Sequence, residues 1–251
     1  MDVDGAGIAS DEESDGQFLL QYVDAARHRH ERPLASCWSV DFEDAPPIRS
    51  FRWARSQSHN PGWWWSVSTG LHIGFESWLE RDHVMLLDFD RTIAAFSSQP
   101  FWLSWHDGRR LRRHAPDYFA RRVDGVGVVI DVRADDRIED RDREAFEATE
   151  SACRSVGWEF RRVGTLPAVL AANVRWLARY RHPRCRNEDA ADALSAVFAR
   201  PTPLMEGAAR AGDTLGVLPV LFHLMWEQVL RADLSQQLLG PGSVVWSGAS
   251  R

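Results

Sequence analysis

The amino-acid sequence predicts an α/β fold with a mixed central sheet flanked by helices, followed by a small C-terminal helical domain that is winged-helix-like. Three observations carry this prediction: two hairpin signals in the first half of the chain, helical patterns between strand patterns, and helical spacing throughout the final third. Residues 1–16 hold six acids and no base. Such a composition is typical of a disordered tail.

The first half of the chain alternates between strand and helix patterns. We expect a short helix in "QFLLQYVDAAR" (17–27) and a hairpin in "WWWSVSTGLHIGF" (63–75), with its turn at Thr69-Gly70. "TIAAFSS" and "FWLSWHD" are predicted strands on either side of Pro100. The spacing in "ESWLERDHVMLLDF" (76–89) predicts a helix whose mostly apolar stripe consists of Phe75, Leu79, Asp82, Leu86 and Phe89.

The second hairpin joins "PDYFARRV" to "VGVVIDV" through Asp124-Gly125, a strong turn signal between apolar runs. The β-branched run of the second strand is typical of a buried strand. A helix is predicted next over 142–157, with Gly157 at its C-terminal end. A strand in "WEFRRV" and a helix in "PAVLAANVRWLARYR" complete the first domain.

Residues 181–189 have the composition of a linker. Three helical patterns follow ("AADALSAVFAR", "PTPLMEGAAR" and "TLGVLPVLFHLMWEQVL"), then two short strand patterns ("RADLS" and "GSVVW"). We therefore predict a disordered acidic tail at 1–16, a first domain at 17–180, and a C-terminal helical domain at 187–251 that binds a partner or DNA.

Composition limits the classes of function. The chain has 251 residues, of which 44% are hydrophobic and 26% charged, as in an ordinary globular protein. Its three cysteines are too far apart for a disulfide framework or a paired zinc knuckle, which favours a reducing cytoplasm. The longest apolar stretch is too short to span a bilayer, and no secretory signal pattern opens the chain. We therefore expect a cytoplasmic protein without a membrane partner.

The charge pattern leaves a nucleic-acid partner open. The net charge is −6, but six of the 36 acids lie in the acidic tail, and every one of the 30 basic residues is arginine. Two arginine-rich segments stand out, at 108–122 and 179–186. Each is interpreted either as a solvated arginine face or as a local contact for nucleic acid.

Two carboxylates and a cation lie on the second predicted hairpin. Asp117 opens one strand and Asp131 ends the other, so their carboxylates can converge, with the Val132 carbonyl beside them. Arg133 can face a phosphate or a water molecule, and Glu80 on the preceding helix can add a third acid. Hydrolysis of a phosphodiester uses a divalent metal, and Mg²⁺ prefers hard oxygen ligands of this kind.

Other interpretations of these acids stay open. An aspartate beside a strand often serves as a turn or cap residue. Glu76, Glu80 and His83 also share one face of the predicted helix, at i, i+4 and i+7, where they are a candidate zinc site.

The chain resembles the TnsA-like endonuclease subunits of heteromeric transposases over roughly residues 50–246. Its motifs follow the order and approximate spacing of that family: "FESWLERDHVMLLDFD", "SQPFWLSW", "HAPDYF", "VVIDVR", "AFEATESACRSVGWEF", "NVRWLARYRHP" and "VLPVLFHLMW…ADLS". The resemblance implies a restriction-endonuclease-like fold for the nuclease domain at 17–180. It also implies cleavage of double-stranded DNA at the 5′ ends of a mobile element, beside an integrase-type transposase subunit and a transposition ATPase regulator.

The resemblance implies that Glu80, Asp117 and Asp131 are catalytic acids, with Arg133 at the position where the family carries lysine. Metal ligands would come from Asp117, Asp131, Val132 and Glu80, and the metal would be Mg²⁺, or Mn²⁺. The family often has Glu or Gln in place of Asp131. Arginine cannot act as a general base near neutral pH, but it can hold a phosphate oxygen.

Three functions are therefore open: a metal-dependent endonuclease of transposition, a catalytically impaired nuclease-fold subunit that binds DNA and recruits transposition partners, and a stand-alone defence nuclease.

Overall fold

The computed structural model describes residues 17–49 and 61–248. These residues form a mixed α/β protein with several sheets and six helices, which confirms the predicted class at this level. The predicted acidic tail at 1–16 and the last three residues of the predicted C-terminal domain lie outside the described residues. The described residues fall into two compact units: those within 1–64, 72–80 and 92–165 form the first, and those within 65–71, 81–91 and 166–251 form the second.

Ten strands and two helices come first along the chain. In order they are β1 (Phe18–Val23), β2 (Arg29–Pro33), β3 (Gly62–Trp65), β4 (His72–Phe75), α1 (Trp78–Phe89), β5 (Ile93–Ser98), β6 (Phe101–His106), β7 (Leu111–His114), β8 (Tyr118–Arg122), β9 (Gly127–Val132), α2 (Asp140–Ser155) and β10 (Glu159–Val163).

Eight strands of the first unit build two four-stranded sheets. One is entirely antiparallel, in the order β2-β1-β6-β7, and the other has the order β10-β9-β8-β5. In the second sheet β9 and β10 are parallel, while β8 is antiparallel to both β9 and β5. Both predicted hairpins are confirmed: β3 and β4 pair across the turn that contains Gly70, and β8 and β9 pair across Asp124-Gly125.

The predicted helix in 17–27 is wrong, because residues 18–23 form strand β1. Phe18, Leu20 and Tyr22 are buried at every second position, which is the period of a strand with one buried face. The strand lies between β2 and β6, so both of its edges are paired. The apolar pair Leu19-Leu20 obscured this alternation in the sequence.

An aromatic cluster fills the core of the first unit. The Phe42 ring is fully buried, and the rings of Tyr22, Phe101, Phe119 and Trp158 lie edge-on to it at centroid distances of 4.9–5.7 Å. Edge-to-face packing at this spacing is favourable beyond the burial of apolar area. Because these rings come from strands of both sheets, the cluster joins the sheets into one core.

Helices α1 and α2 lie close to their predicted positions. The apolar stripe predicted for α1 is inaccurate: Leu79, Leu86 and Phe89 are only partly buried. The polar residues His83 and Asp88, which lie outside the predicted stripe, are buried. Helix α2 ends as predicted: Gly157 adopts a φ of 73°. The N–H groups of Gly157 and Trp158 then donate to carbonyls of the last helical turn.

The second unit contains the remaining helices and three short strands. They are α3 (Ala168–Leu177), α4 (Glu188–Val197), β11 (Thr202–Pro203), α5 (Leu204–Ala211), α6 (Thr214–Trp226), β12 (Leu230–Arg231) and β13 (Val244–Ser247). The strands form one small antiparallel sheet in the order β11-β13-β12. Of the predicted strand "RADLS" only Arg231 is in a strand. Helix α6 is buried over most of its length.

The division into units differs from the boundary expected near 181–186. It falls after Thr165, so α3 belongs with the C-terminal elements, and so do residues 65–71 and 81–91 from the first half of the chain. Composition cannot show that these early segments belong to the second unit, because their membership depends on contacts between residues far apart in the sequence. Among the described residues no helix is both long and apolar enough to cross a membrane.

Candidate active site

The hairpin of β8 and β9 brings the two predicted aspartates together. Tyr118 pairs with Ile130, so Asp117 lies opposite Asp131 when the register is continued by one residue. The backbone N–H of Val132 donates a 2.7 Å hydrogen bond to Asp117 Oδ2. This bond fixes the Asp117 carboxylate at the end of β9, as the sequence predicted from the position of the two residues.

Asp131 is held by a residue that the sequence analysis did not select. The Nε2 atom of His114, the last residue of β7, lies 2.9 Å from both carboxylate oxygens of Asp131. Asp131 is only 2% exposed, whereas His114 is partly exposed. The contact therefore links the edge strand of one sheet to the acid on the other sheet.

Glu80 lies in the first turn of α1, where it also caps the helix. Its backbone N–H donates to Ser77 Oγ at 3.1 Å, and the Ser77 hydroxyl donates to Glu80 Oε1 at 2.8 Å. The N–H of Glu76 donates to Glu80 Oε2 at 2.7 Å. These bonds resemble a capping box, and the pattern Ser-x-x-Glu at 77–80 was a readable signal for it. Each oxygen keeps acceptor capacity for a further ligand.

The acids repel one another electrostatically. Burial raises the pKa of Asp117 well above its ordinary value, and the charges of Glu80 and Asp131 raise it further, although the bond from Val132 opposes them. Burial likewise raises the pKa of Glu80, against the hydrogen bonds from Glu76 and Ser77. Among the described residues neither Glu80 nor Asp117 has an ion-pair partner. The pocket therefore favours a proton or a bound cation at these two acids.

An open pocket of about 790 Å³ contains all four side chains of the predicted site. On its rim Arg49 makes a bidentate ion pair with Glu76, with N–O distances of 3.0 and 2.7 Å. The residues of the wall that matter for chemistry are Glu80, Arg113, His114, Asp117, Asp131, Val132 and Arg133.

Arg133 lies in the same pocket but is engaged with its own neighbours. Its Nη2 lies 3.0 Å from Asp142 Oδ2, and its Nε donates to the Arg137 carbonyl at 3.1 Å. Asp142 also accepts from the Glu139 N–H at the start of α2. Asp142 and the Arg137 carbonyl therefore compete with a phosphate oxygen for these two guanidinium nitrogens.

The donor set suits a hard divalent cation. Glu80, Asp117 and Asp131 supply only oxygen, and the uncompensated charge at Glu80 and Asp117 favours a bound cation. Across the described residues no group of three or more His, Cys, Asp or Glu side chains is close enough to enclose a metal ion. Mg²⁺ does not need such a cage, because it is usually held by one or two carboxylates together with waters and substrate phosphate.

The alternative zinc site at Glu76, Glu80 and His83 finds no support in the described part of the chain. Glu76 is paired with Arg49, Glu80 caps α1, and no three-ligand group includes them.

Sequence reasoning missed His114 and Arg49. The signal for His114 was its place three residues before Asp117 in "HAPDYF", which puts it on the strand that leads into the hairpin. Arg49 had no readable signal, because its pairing with Glu76 joins segments 27 residues apart.

Comparisons of this chain with models of known protein families and with curated protein sequences found no match. The resemblance to TnsA-like subunits thus rests on the quoted motifs alone.

Proposed function

We propose that this protein is a metal-dependent DNA endonuclease subunit of a heteromeric transposase, with a restriction-endonuclease-like nuclease domain. One observation carries the proposal: Glu80, Asp117 and Asp131 line a single open pocket, and the first two have no ion-pair partner among the described residues. A fold gains no stability from such an arrangement. A site that binds a divalent cation and a phosphodiester requires it.

Each residue has a distinct task in this proposal. Glu80 and Asp117 would hold Mg²⁺ or Mn²⁺ through carboxylate oxygens, with Asp131 and the Val132 carbonyl as further ligands. The metal, when bound, neutralises the phosphate and lowers the pKa of an attacking water. His114 keeps the Asp131 carboxylate in place, and the Val132 N–H does the same for Asp117. Arg133 would hold a non-bridging phosphate oxygen after release from Asp142.

A second candidate is a nuclease-fold subunit without cleavage activity, retained to bind DNA and recruit partners. The observation that favours it is the Arg133–Asp142 ion pair, which occupies the only cation of the predicted set. Arginine also cannot take the proton of the attacking water. The third candidate, a stand-alone defence nuclease, requires the same pocket but no transposase partner.

The second unit supports a docking role for the C-terminal elements. The order α4-β11-α5-α6-β12-β13, with a small sheet at its end, is compatible with the predicted winged-helix-like domain. In this chain α6 is buried from Val220 to Trp226, so its side chains are not free to enter a DNA groove. We therefore assign this unit to protein contact, with the transposition ATPase regulator as the proposed partner.

The test is a nicking assay with the full chain on supercoiled plasmid that carries the element ends. The protein is assayed alone and with the integrase-type transposase, in Mg²⁺ and in Mn²⁺. We expect metal-dependent cleavage by the parent and none by Asp117→Asn. Parent DNA binding without cleavage in either metal, alone or with the transposase, would leave the impaired subunit as the function. Full cleavage without any transposase would favour the defence nuclease.

A further inference from the structure

The structure divides the first arginine-rich segment into two groups. Arg112, Arg121 and Arg122 are neutralised: Arg112 pairs with Asp107 and Glu144, Arg121 with Glu43, and Arg122 with Asp124 and Glu159. The other three have no ion-pair partner within the described residues, and all three are exposed. They are Arg109, Arg110 and Arg113. All three lie on the β6–β7 hairpin, with Arg109 and Arg110 in its turn.

Hydrogen bonds within the hairpin turn hold the backbone that carries Arg109 and Arg110. Asp107 Oδ1 accepts hydrogen bonds of 2.9 Å from the N–H groups of both Arg109 and Arg110. Gly108, which lies between Asp107 and Arg109, takes a φ of 86°, a value that glycine adopts without strain. At the base of the hairpin, the Arg113 guanidinium stacks on the Trp102 ring, 4.6 Å from its centroid. This contact leaves the edges of the guanidinium open to a phosphate.

The hairpin leads from the free arginines directly to the acids. Arg113 and Trp102 line the pocket, and His114, the next residue along β7, contacts Asp131. Arg110 precedes His114 by four residues, which is about 13 Å along a strand. Phosphates of one DNA strand advance about 3.4 Å along the helix axis per nucleotide. A duplex whose axis follows the hairpin, with a phosphate at the acids, would meet Arg109 and Arg110 about four nucleotides away.

We propose that the β6–β7 hairpin is a guide for the DNA backbone, in which Arg109 and Arg110 bind phosphates and thereby select the phosphodiester that reaches the acids. This inference rests on the proposed function for the role of the acids, but the phosphate contact itself does not require cleavage.

The chain supplies a matched control on the opposite edge of the same sheet. Arg29 and Arg32 lie on β2, are exposed, and have no ion-pair partner among the described residues. Substituting two arginines by glutamine removes the same charge at either edge. Long-range attraction to DNA then falls equally in both double variants, and only a direct phosphate contact distinguishes them.

The experiment measures binding of the full chain to a 30-base-pair duplex by fluorescence anisotropy, in chelator, over about 50–200 mM salt. The slope of log K against log[salt] is negative, and each lost phosphate contact makes it less steep by about 0.9. For Arg109→Gln/Arg110→Gln the magnitude of the slope should therefore fall by roughly 1.8. The affinity ratio between parent and variant then narrows roughly twelvefold over this fourfold range of salt. Arg29→Gln/Arg32→Gln should keep the parent slope.

Equal slopes in the parent and the hairpin variant overturn the inference, as do equal losses in the two double variants. A parent that does not bind the duplex at 50 mM salt overturns it as well, and would leave an acidic protein as the partner of the hairpin. Because chelator prevents cleavage, the phosphate contact is measured separately from the nuclease. If only the Arg109→Gln/Arg110→Gln variant loses salt dependence and the parent does not cleave DNA, the phosphate contact at the hairpin stands and the proposed endonuclease activity is refuted.

Discussion

Substitutions at Arg133 and at its partner Asp142 decide whether the cation of the pocket takes part in cleavage. Arg133 is bound to Asp142 at 3.0 Å and to the Arg137 carbonyl at 3.1 Å. If Arg133 serves the phosphate, these contacts compete with the substrate. Asp142→Asn removes the competing charge while retaining an amide oxygen that can still accept the Glu139 N–H at the start of α2.

The size of each effect follows from the exposure of the groups. The Arg133 and Asp142 side chains are 37% and 20% exposed. A pair so exposed contributes about 0.2–1 kcal/mol, so Asp142→Asn should raise the cleavage rate about 1.4- to 5-fold. Arg133→Ala removes a charge-assisted contact to the transition state and should lower the rate by about 10²–10³. If the proposed resemblance holds, Arg133 stands at the position of the family's lysine, and Arg133→Lys should cleave at least as fast as the parent.

The assay is single-turnover cleavage of element-end DNA by the four proteins under saturating protein, in Mg²⁺ and in Mn²⁺. Saturation removes differences in binding, so the rate reports the chemical step. Normal cleavage by Arg133→Ala would refute the role of this cation. A slower Asp142→Asn combined with an inactive Arg133→Ala would show that Asp142 positions the arginine rather than competing for it.

Three further outcomes follow from the same structure. In chelator the unfolding free energy should fall as pH rises from 3.8, the ordinary pKa of Asp117, towards its raised folded-state pKa, because the folded state holds the proton longer. Asp117→Asn should make the stability depend less on pH, which thermal melts at a series of pH values would show. Added Mg²⁺ should raise the melting temperature of the parent but not of this variant. His114→Phe leaves the buried Asp131 charge without its partner and should cost about 1–3 kcal/mol in chemical denaturation, whereas His72→Phe at an exposed site should be neutral. Truncation after residue 186 removes α6, whose Phe222 packs on Tyr180 at a ring distance of 4.9 Å, and should give insoluble protein; a soluble fragment would contradict the unit boundary after Thr165.

Local signals predicted most of the elements of this chain. The turn residues at Gly70 and Asp124-Gly125 and the helix end at Gly157 each require a positive φ that glycine adopts, and all three stand where the sequence placed them. The failure at 17–27 has the opposite cause. Strand β1 pairs with the neighbouring β2 and with β6, and β6 is a distant partner that a local pattern does not contain.

The site divides in the same way between local and distant contacts. Asp117 and Asp131 could be placed together from the sequence because one hairpin joins them, and a hairpin register follows from its turn. The pairing of His114 with Asp131 could not, because β7 and β9 belong to different sheets. The ion pair of Arg133 with Asp142 could not be predicted either. The sequence suggests Asp117 and Asp131 as partners of this cation, and not an acid in the first turn of α2, nine residues later.

The acids and the arginines of the pocket are kept apart in their pairing. Acids that bind a divalent cation must resist neutralisation by the protein's own cations, or the metal would compete with an ion pair. In the described part of the chain this separation holds: Arg49 is bound to Glu76, Arg133 to Asp142, and Arg113 to the Trp102 ring. Among the described residues none of these three arginines pairs with Glu80 or Asp117. The two acids thus remain available to a metal, while a phosphate must compete with Asp142 for Arg133. One pocket can then hold both charges of a metal–phosphodiester complex.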